Sequence, residues 1–102
     1  MIDLPAEYID MVKQILAVLP EVEVRVFGSR VNGKAHTYSD LDLALVAPER
    51  IPYNRLGTLK DAFAESDLPI QVDILDWHAI DPTFQKVIER HYEVLRYHTQ
   101  YE

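Results

Sequence analysis

Two stretches in which apolar and polar side chains strictly alternate leave this chain few folds to choose from. Val22, Val24 and Val26 are interleaved with Glu21, Glu23 and Arg25, and Leu41, Leu43 and Leu45 with Asp40, Asp42, Ala44 and Val46. A period of two puts every second side chain on the same face, so each stretch reads as a half-buried β-strand. Phe27 closes the first at Gly28. A third strand, Ile70 to Leu75, follows Pro69, with Ile70, Val72 and Ile74 on one side and Gln71, Asp73 and Leu75 on the other.

Helical spacing fills the intervals. Pro5 suits a first helical turn, and Ile9, Val12, Ile15, Leu16 and Leu19 recur on one face until Pro20. After Pro48 and Pro52, the residues Leu56, Leu59 and Phe63 mark a second helix ending near Ser66. Asp81-Pro82 opens a last long helix whose apolar face is Phe84, Val87, Ile88, Tyr92 and Leu95. The segment from Ser29 to Tyr38, which contains Asn32-Gly33, reads as a turn or a short helix with a loop. The expected architecture is an α/β (α+β) sandwich, a small mixed sheet of about three to four strands flanked by helices. At 102 residues the chain has length for one modest core, so residues 1–102 are expected to form a single domain.

Charge excludes some roles. A protein that grips a nucleic-acid backbone needs a surplus of Lys and Arg, whereas this chain carries a net charge of -7, so direct nucleic-acid binding is not expected. No apolar run reaches membrane-spanning length, and Met1-Ile2-Asp3-Leu4-Pro5 lacks the basic start of a signal peptide. The absence of cysteine removes disulfides and thiolate metal sites and fits a cytoplasmic location.

The polar residues that interrupt the strands carry the chemistry. Asp40 and Asp42 share one face of their strand, and Asp73 is the only charge inside the third. Carboxylates in apolar strands are costly unless paired, hydrated or bound to metal, and three brought together repel one another. Mg²⁺ relieves that repulsion, because it takes oxygen ligands and is shared between carboxylates and substrate phosphates. In two-metal sites the ions sit about 3.5–4 Å apart and stabilise both the attacking and the leaving oxygen. Asp40 and Asp42 would hold both ions, and Asp73 the one that activates the attacking hydroxyl. Gly28 lets the backbone approach a phosphate, the Ser29 hydroxyl donates to it, and Arg30 adds charge-assisted hydrogen bonds. Metal ligands beside a phosphate cradle point to phosphoryl or nucleotidyl transfer.

Phe27-Gly28-Ser29-Arg30, Gly33, Ser39-Asp40-Leu41-Asp42-Leu43 and the later Val72-Asp73-Ile74-Leu75 resemble the signature of minimal nucleotidyltransferases of the DNA polymerase β superfamily. The resemblance runs through almost the whole chain, including Leu68-Pro69 and Asp76-Trp77, and is closest to small proteins encoded beside a helical HEPN-type partner. It implies a polymerase β-type fold and a two-Mg²⁺ enzyme that transfers a nucleoside monophosphate, AMP from ATP, to an acceptor hydroxyl and releases pyrophosphate. In the antitoxin branch the acceptor is a tyrosine of the partner toxin, so a hetero-oligomer with a HEPN-type protein is expected. Carried over, Asp40, Asp42 and Asp73 are the catalytic metal ligands and Gly28, Ser29 and Arg30 bind the nucleotide. The rival readings are a non-enzymatic antitoxin that neutralises its partner by docking, and nucleotide transfer to a small molecule such as an aminoglycoside. The shortage of residues for a separate acceptor lobe argues against the latter and for a second protein.

Three further features have bland readings. Arg30, His36 and Tyr38 superficially match the Arg-spacer-His-x-Tyr arrangement of HEPN ribonucleases, but lie in a strand connection instead of a helix. His91, Tyr92, Tyr97, His98 and Tyr101 crowd the C-terminal end, where Tyr92 is expected in the core and the rest on the surface. Trp77 is expected to be a core or lid residue.

Overall fold

The computed structural model describes residues 1–97. Among these the chain forms α1 (Ala6–Leu16), β1 (Glu23–Phe27), the single turn α2 (Ser29–Asn32), β2 (Leu41–Val46), α3 (Tyr53–Ala64), β3 (Val72–Asp76), a 3₁₀ turn at Trp77–Ala79, α4 (Pro82–Glu89) and β4 (Glu93–Arg96). The strands make one mixed sheet in the order β3-β2-β1-β4. β1 pairs antiparallel with both β2 and β4, whereas β2 and β3 run parallel. A parallel pair cannot be joined by a tight hairpin, and α3 supplies the crossover.

One face of the sheet holds the main core. Val24 and Val26 of β1, Leu41, Leu43 and Leu45 of β2 and Ile74 of β3 are buried against Val12 and Leu16 of α1 and Leu59 and Phe63 of α3. Each such side chain removed from water contributes roughly 1.5–3 kcal/mol before conformational entropy is set against it. The register then fixes the opposite face, because Phe27 pairs with Asp42, and Asp42 with Asp73. All three therefore stand in one row across the sheet, on the side covered by α4. There Phe84 meets Phe27 edge to face, with ring centroids 6.0 Å apart, and Gln85 Nε2 donates to the Trp77 carbonyl at 2.7 Å.

The expected last long helix is shorter than its apolar spacing suggests. It ends at Glu89, and Tyr92 and Leu95 belong to a returning segment in which β4 pairs with β1. A lone β1 edge would leave backbone donors and acceptors open, and pairing with β4 satisfies them. Arg96 reinforces the strand by donating from Nη1 to the Leu16 carbonyl at 2.8 Å and from Nη2 to the carbonyls of Leu19 and Val22. It thereby caps the end of α1, where helical carbonyls lack internal partners.

Tyr92 is half-buried and Tyr97 and His91 are exposed, while His98 and Tyr101 lie outside the described residues. Arg25 stacks on both Trp77 and Tyr92, its guanidinium carbon 4.9 and 4.6 Å from the ring centroids, so Trp77 is a packing residue on the α4 side. None of the described helices is long and apolar enough to cross a membrane.

Candidate active site

The turn after β1 brings its backbone directly against β2. Gly28 has φ 79° and ψ -152°, a conformation open essentially to glycine alone. A Cβ built there would overlap Asp42 Oδ2 and lie 3.4 Å from Asp42 Cγ. The backbone conformation therefore calls for glycine, and any larger residue would also have to push the Asp42 carboxylate aside. The Gly28 carbonyl accepts from the N-H groups of Val31 and Asn32 at 3.1 and 3.2 Å, which winds α2 immediately behind Ser29. Gly33 ends that turn in the left-handed region at φ 82°.

The carboxylates come from two adjacent strands. Asp42 is half-buried on β2, and its parallel partner Asp73 is half-buried on β3. Asp40 stands exposed just before β2, at the rim. Burial pushes the Asp42 carboxyl above its ordinary pKa, and the negative charges of Asp73 and Asp40, with a hydrogen bond to the Asp73 carboxyl, push it the same way. Asp73 Oδ1 also accepts from Gln71 Nε2 at 3.0 Å. Among the described residues no three Asp, Glu, His or Cys side chains form a ready-made metal cage. Mg²⁺ commonly takes only one or two protein carboxylates and completes its shell with water and substrate phosphate, so a donor set of this kind fits it.

Asp42 and Asp73 line an open cleft of about 580 Å³, together with Phe27, Lys60, Leu75 and Phe84. Lys60 and Phe84 were not legible as site residues. Lys60 reads as one more exposed position of α3, and only the crossover brings it to the edge of β3. Phe84 satisfies the apolar face of α4, yet it is 38% exposed because part of its ring borders the cleft.

Arg30 departs from its expected role at a phosphate. It is only 4% exposed, and its guanidinium donates to the backbone carbonyls of Asp3, Thr37 and Ser39 at 3.1, 3.2 and 2.8 Å. The side chain is turned into the protein because those carbonyls need donors that the loop cannot provide. His36 and Tyr38 are exposed in the same loop and belong to no helix.

Residues 10–100 match the family described as "Polymerase beta, Nucleotidyltransferase". The chain is 45% identical over 96 residues to the probable protein adenylyltransferase MntA of Haemophilus influenzae, an alignment covering 93% of this chain and 84% of that protein. Its fold is similar to that of a chain in a toxin-antitoxin crystal structure with AMP-PNP, with a TM-score of 0.73 and 23% identity over 90% of this chain and 74% of the other. A chain in the structure of tri-AMPylated Shewanella oneidensis HEPN toxin in complex with MNT antitoxin gives a TM-score of 0.65 and 20% identity, over 86% and 68% of the two chains. At these identities the structural likeness is one of fold.

Proposed function

The chain belongs to the polymerase β nucleotidyltransferase family, and from that premise we propose that it is a cytoplasmic, single-domain protein adenylyltransferase that silences a HEPN-type toxin by transferring AMP from ATP to a tyrosine hydroxyl. The observation that carries this reading is the pairing of Asp42 with Asp73 on neighbouring parallel strands, directly against Gly28. The 45%-identical relative, a probable protein adenylyltransferase, supports the reaction class. The structure of a tri-AMPylated HEPN toxin in complex with an MNT antitoxin, one chain of which shares this fold, supports a HEPN toxin as the protein that receives AMP.

In this reaction the acceptor hydroxyl gives up its proton to solvent as its oxygen bonds to the α-phosphorus of ATP, the bond from that phosphorus to the bridging oxygen breaks, and pyrophosphate leaves with the electrons of that bond. Asp40, Asp42 and Asp73 would hold the Mg²⁺ ions, which when bound neutralise the triphosphate and lower the pKa of the attacking hydroxyl. Gly28 keeps the turn close to the strand, so that Ser29 and the backbone can lie along the phosphates. Asp73, on the edge strand, faces the side from which an acceptor can approach. The cleft is open and the described part of the chain has no second lobe to cover it, so the partner both presents the hydroxyl and closes the site.

The test is transfer of label from α-labelled ATP to the purified HEPN partner in the presence of Mg²⁺. Label on a partner tyrosine that vanishes with Asp42→Ala, while the variant retains the parental circular dichroism spectrum, is the expected result. Undiminished labelling by that variant overturns the assignment.

A further inference from the structure

Arg30 has a use that the reaction chemistry does not assign to it, and the geometry points to a positioning residue that locks the phosphate turn to the strand carrying the carboxylates. This inference rests on the functional reading above for its kinetic consequence, though the lock itself is a property of the fold.

The guanidinium makes contact with three separate pieces of backbone. One is the N-terminal segment, where Arg30 Nη1 donates to the Asp3 carbonyl and the Asp3 N-H donates back to the Arg30 carbonyl at 2.7 Å. The other two are Thr37 and Ser39, whose carbonyls share Nη2. Ser39 is the residue immediately before Asp40, and Arg30 lies two residues beyond Gly28. A single planar group therefore spans the short distance between the two halves of the site. Ser39 Oγ tightens the same loop by accepting from the His36 N-H at 2.8 Å.

Burying a guanidinium is costly, and here the cost is only partly offset, because Nε has no partner among the described residues. Lysine cannot reproduce the arrangement, since an ammonium is a point donor on a flexible stem whereas the guanidinium fork fixes the directions of its N-H groups. Misplacement of reacting groups by about 1 Å can cost on the order of a hundredfold in rate, which is the scale on which a slipped loop before Asp40 would act.

The experiment compares the parent with Arg30→Lys and Arg30→Ala, assayed below their melting temperatures and corrected for the folded fraction. Transfer per folded molecule is expected to fall by about tenfold to a hundredfold. Amide exchange at Asp40, Leu41 and Asp42 is expected to accelerate more than at Val24, and millimolar guanidinium ion, unlike tetramethylammonium, to restore part of the Arg30→Ala rate. In the parent, NMR is expected to show slowly exchanging Arg30 guanidinium protons, a readout independent of whether either variant folds. Parental transfer rates in folded variants, uniform exchange across the sheet, or guanidinium protons that exchange like those of a surface arginine each overturn the lock. If the parent itself transfers nothing, the functional reading fails, and the exchange data alone then decide the lock, in either direction.

Discussion

Gly28 and Asp42 sit so close across the first two strands that no side chain fits between them. A Cβ at Gly28 would overlap Asp42 Oδ2, and the φ of 79° already favours glycine. The contact ties the glycine-serine turn to a carboxylate of the candidate site, so a change at either residue is felt at the other.

Gly28→Ala tests that contact. The substituted backbone is strained by about 1–3 kcal/mol, and the new methyl group must also displace Asp42. Thermal melting is expected to drop by several degrees, and labelled AMP transfer to fall by about a hundredfold. Transfer within twofold of the parent would show that the approach of turn to strand is not needed.

Asp42→Asn is expected to abolish transfer yet stabilise the metal-free protein at neutral pH. The folded-state pKa of Asp42 is raised by burial and by Asp73 and Asp40, so the folded protein holds this proton more tightly than the unfolded chain does. Asp42 therefore favours folding below its unfolded value of about 4, and that contribution is lost as pH rises through the higher folded value. Melting curves in EDTA should show the variant above the parent at pH 7, with the gap closing as the pH falls below the ordinary carboxylate range. A parent that melts above the variant at pH 7 without metal contradicts this.

Metal addition should reverse the order. Mg²⁺ with a non-hydrolysable ATP analogue is expected to raise the parent melting temperature, since a ligand at a hundred times its Kd stabilises by about 2.7 kcal/mol. Differential scanning fluorimetry should show little shift for Asp42→Asn combined with Asp73→Asn. Equal shifts in both proteins would locate the metal elsewhere.

Arg96→Ala probes stability away from the cleft. Removing the guanidinium takes the donor of the Val22 carbonyl and one of two donors from each of the Leu16 and Leu19 carbonyls, which keep the N-H groups of Leu19 and Val22, and it loosens the hold on β4, at an expected cost of about 1–3 kcal/mol. Chemical denaturation measures this, and nucleotide binding below the transition should stay near the parental affinity. A change under 0.5 kcal/mol, which is roughly the scale of an ordinary surface substitution, would show that water replaces the cap freely.

Co-expression separates catalysis from docking. With Asp40, Asp42 and Asp73 all changed to Ala, cells carrying the HEPN toxin are expected to lose protection, as read by growth. Full protection by a folded triple variant would mean that complex formation alone neutralises the partner.

Local pattern carried the reading as far as the strands and the parity of their side chains. Strict alternation is enough to place Asp42 opposite Leu41 and Leu43, and Asp73 opposite Ile74, because a strand turns each successive side chain to the other face. Helical periodicity misled at the C-terminal end. Tyr92 and Leu95 continue the spacing of Phe84 and Ile88, but the open edge of β1 recruits that segment as β4. Arg30 misled for a related reason, since a cation beside a glycine-serine turn reads as a phosphate ligand until the carbonyls of Asp3, Thr37 and Ser39 are seen around it.

Sequence by itself determined which residues could do the chemistry: a glycine-serine turn, two aspartates two positions apart and a third on a later apolar strand. Only the tertiary structure decided that Asp73 lies beside Asp42, that Gly28 presses on Asp42, and that Lys60 and Phe84 border the cleft. The reason is one of range: side-chain parity is set by neighbours along the chain, whereas strand order, parallel register and the burial of a guanidinium depend on segments that meet only when the core closes.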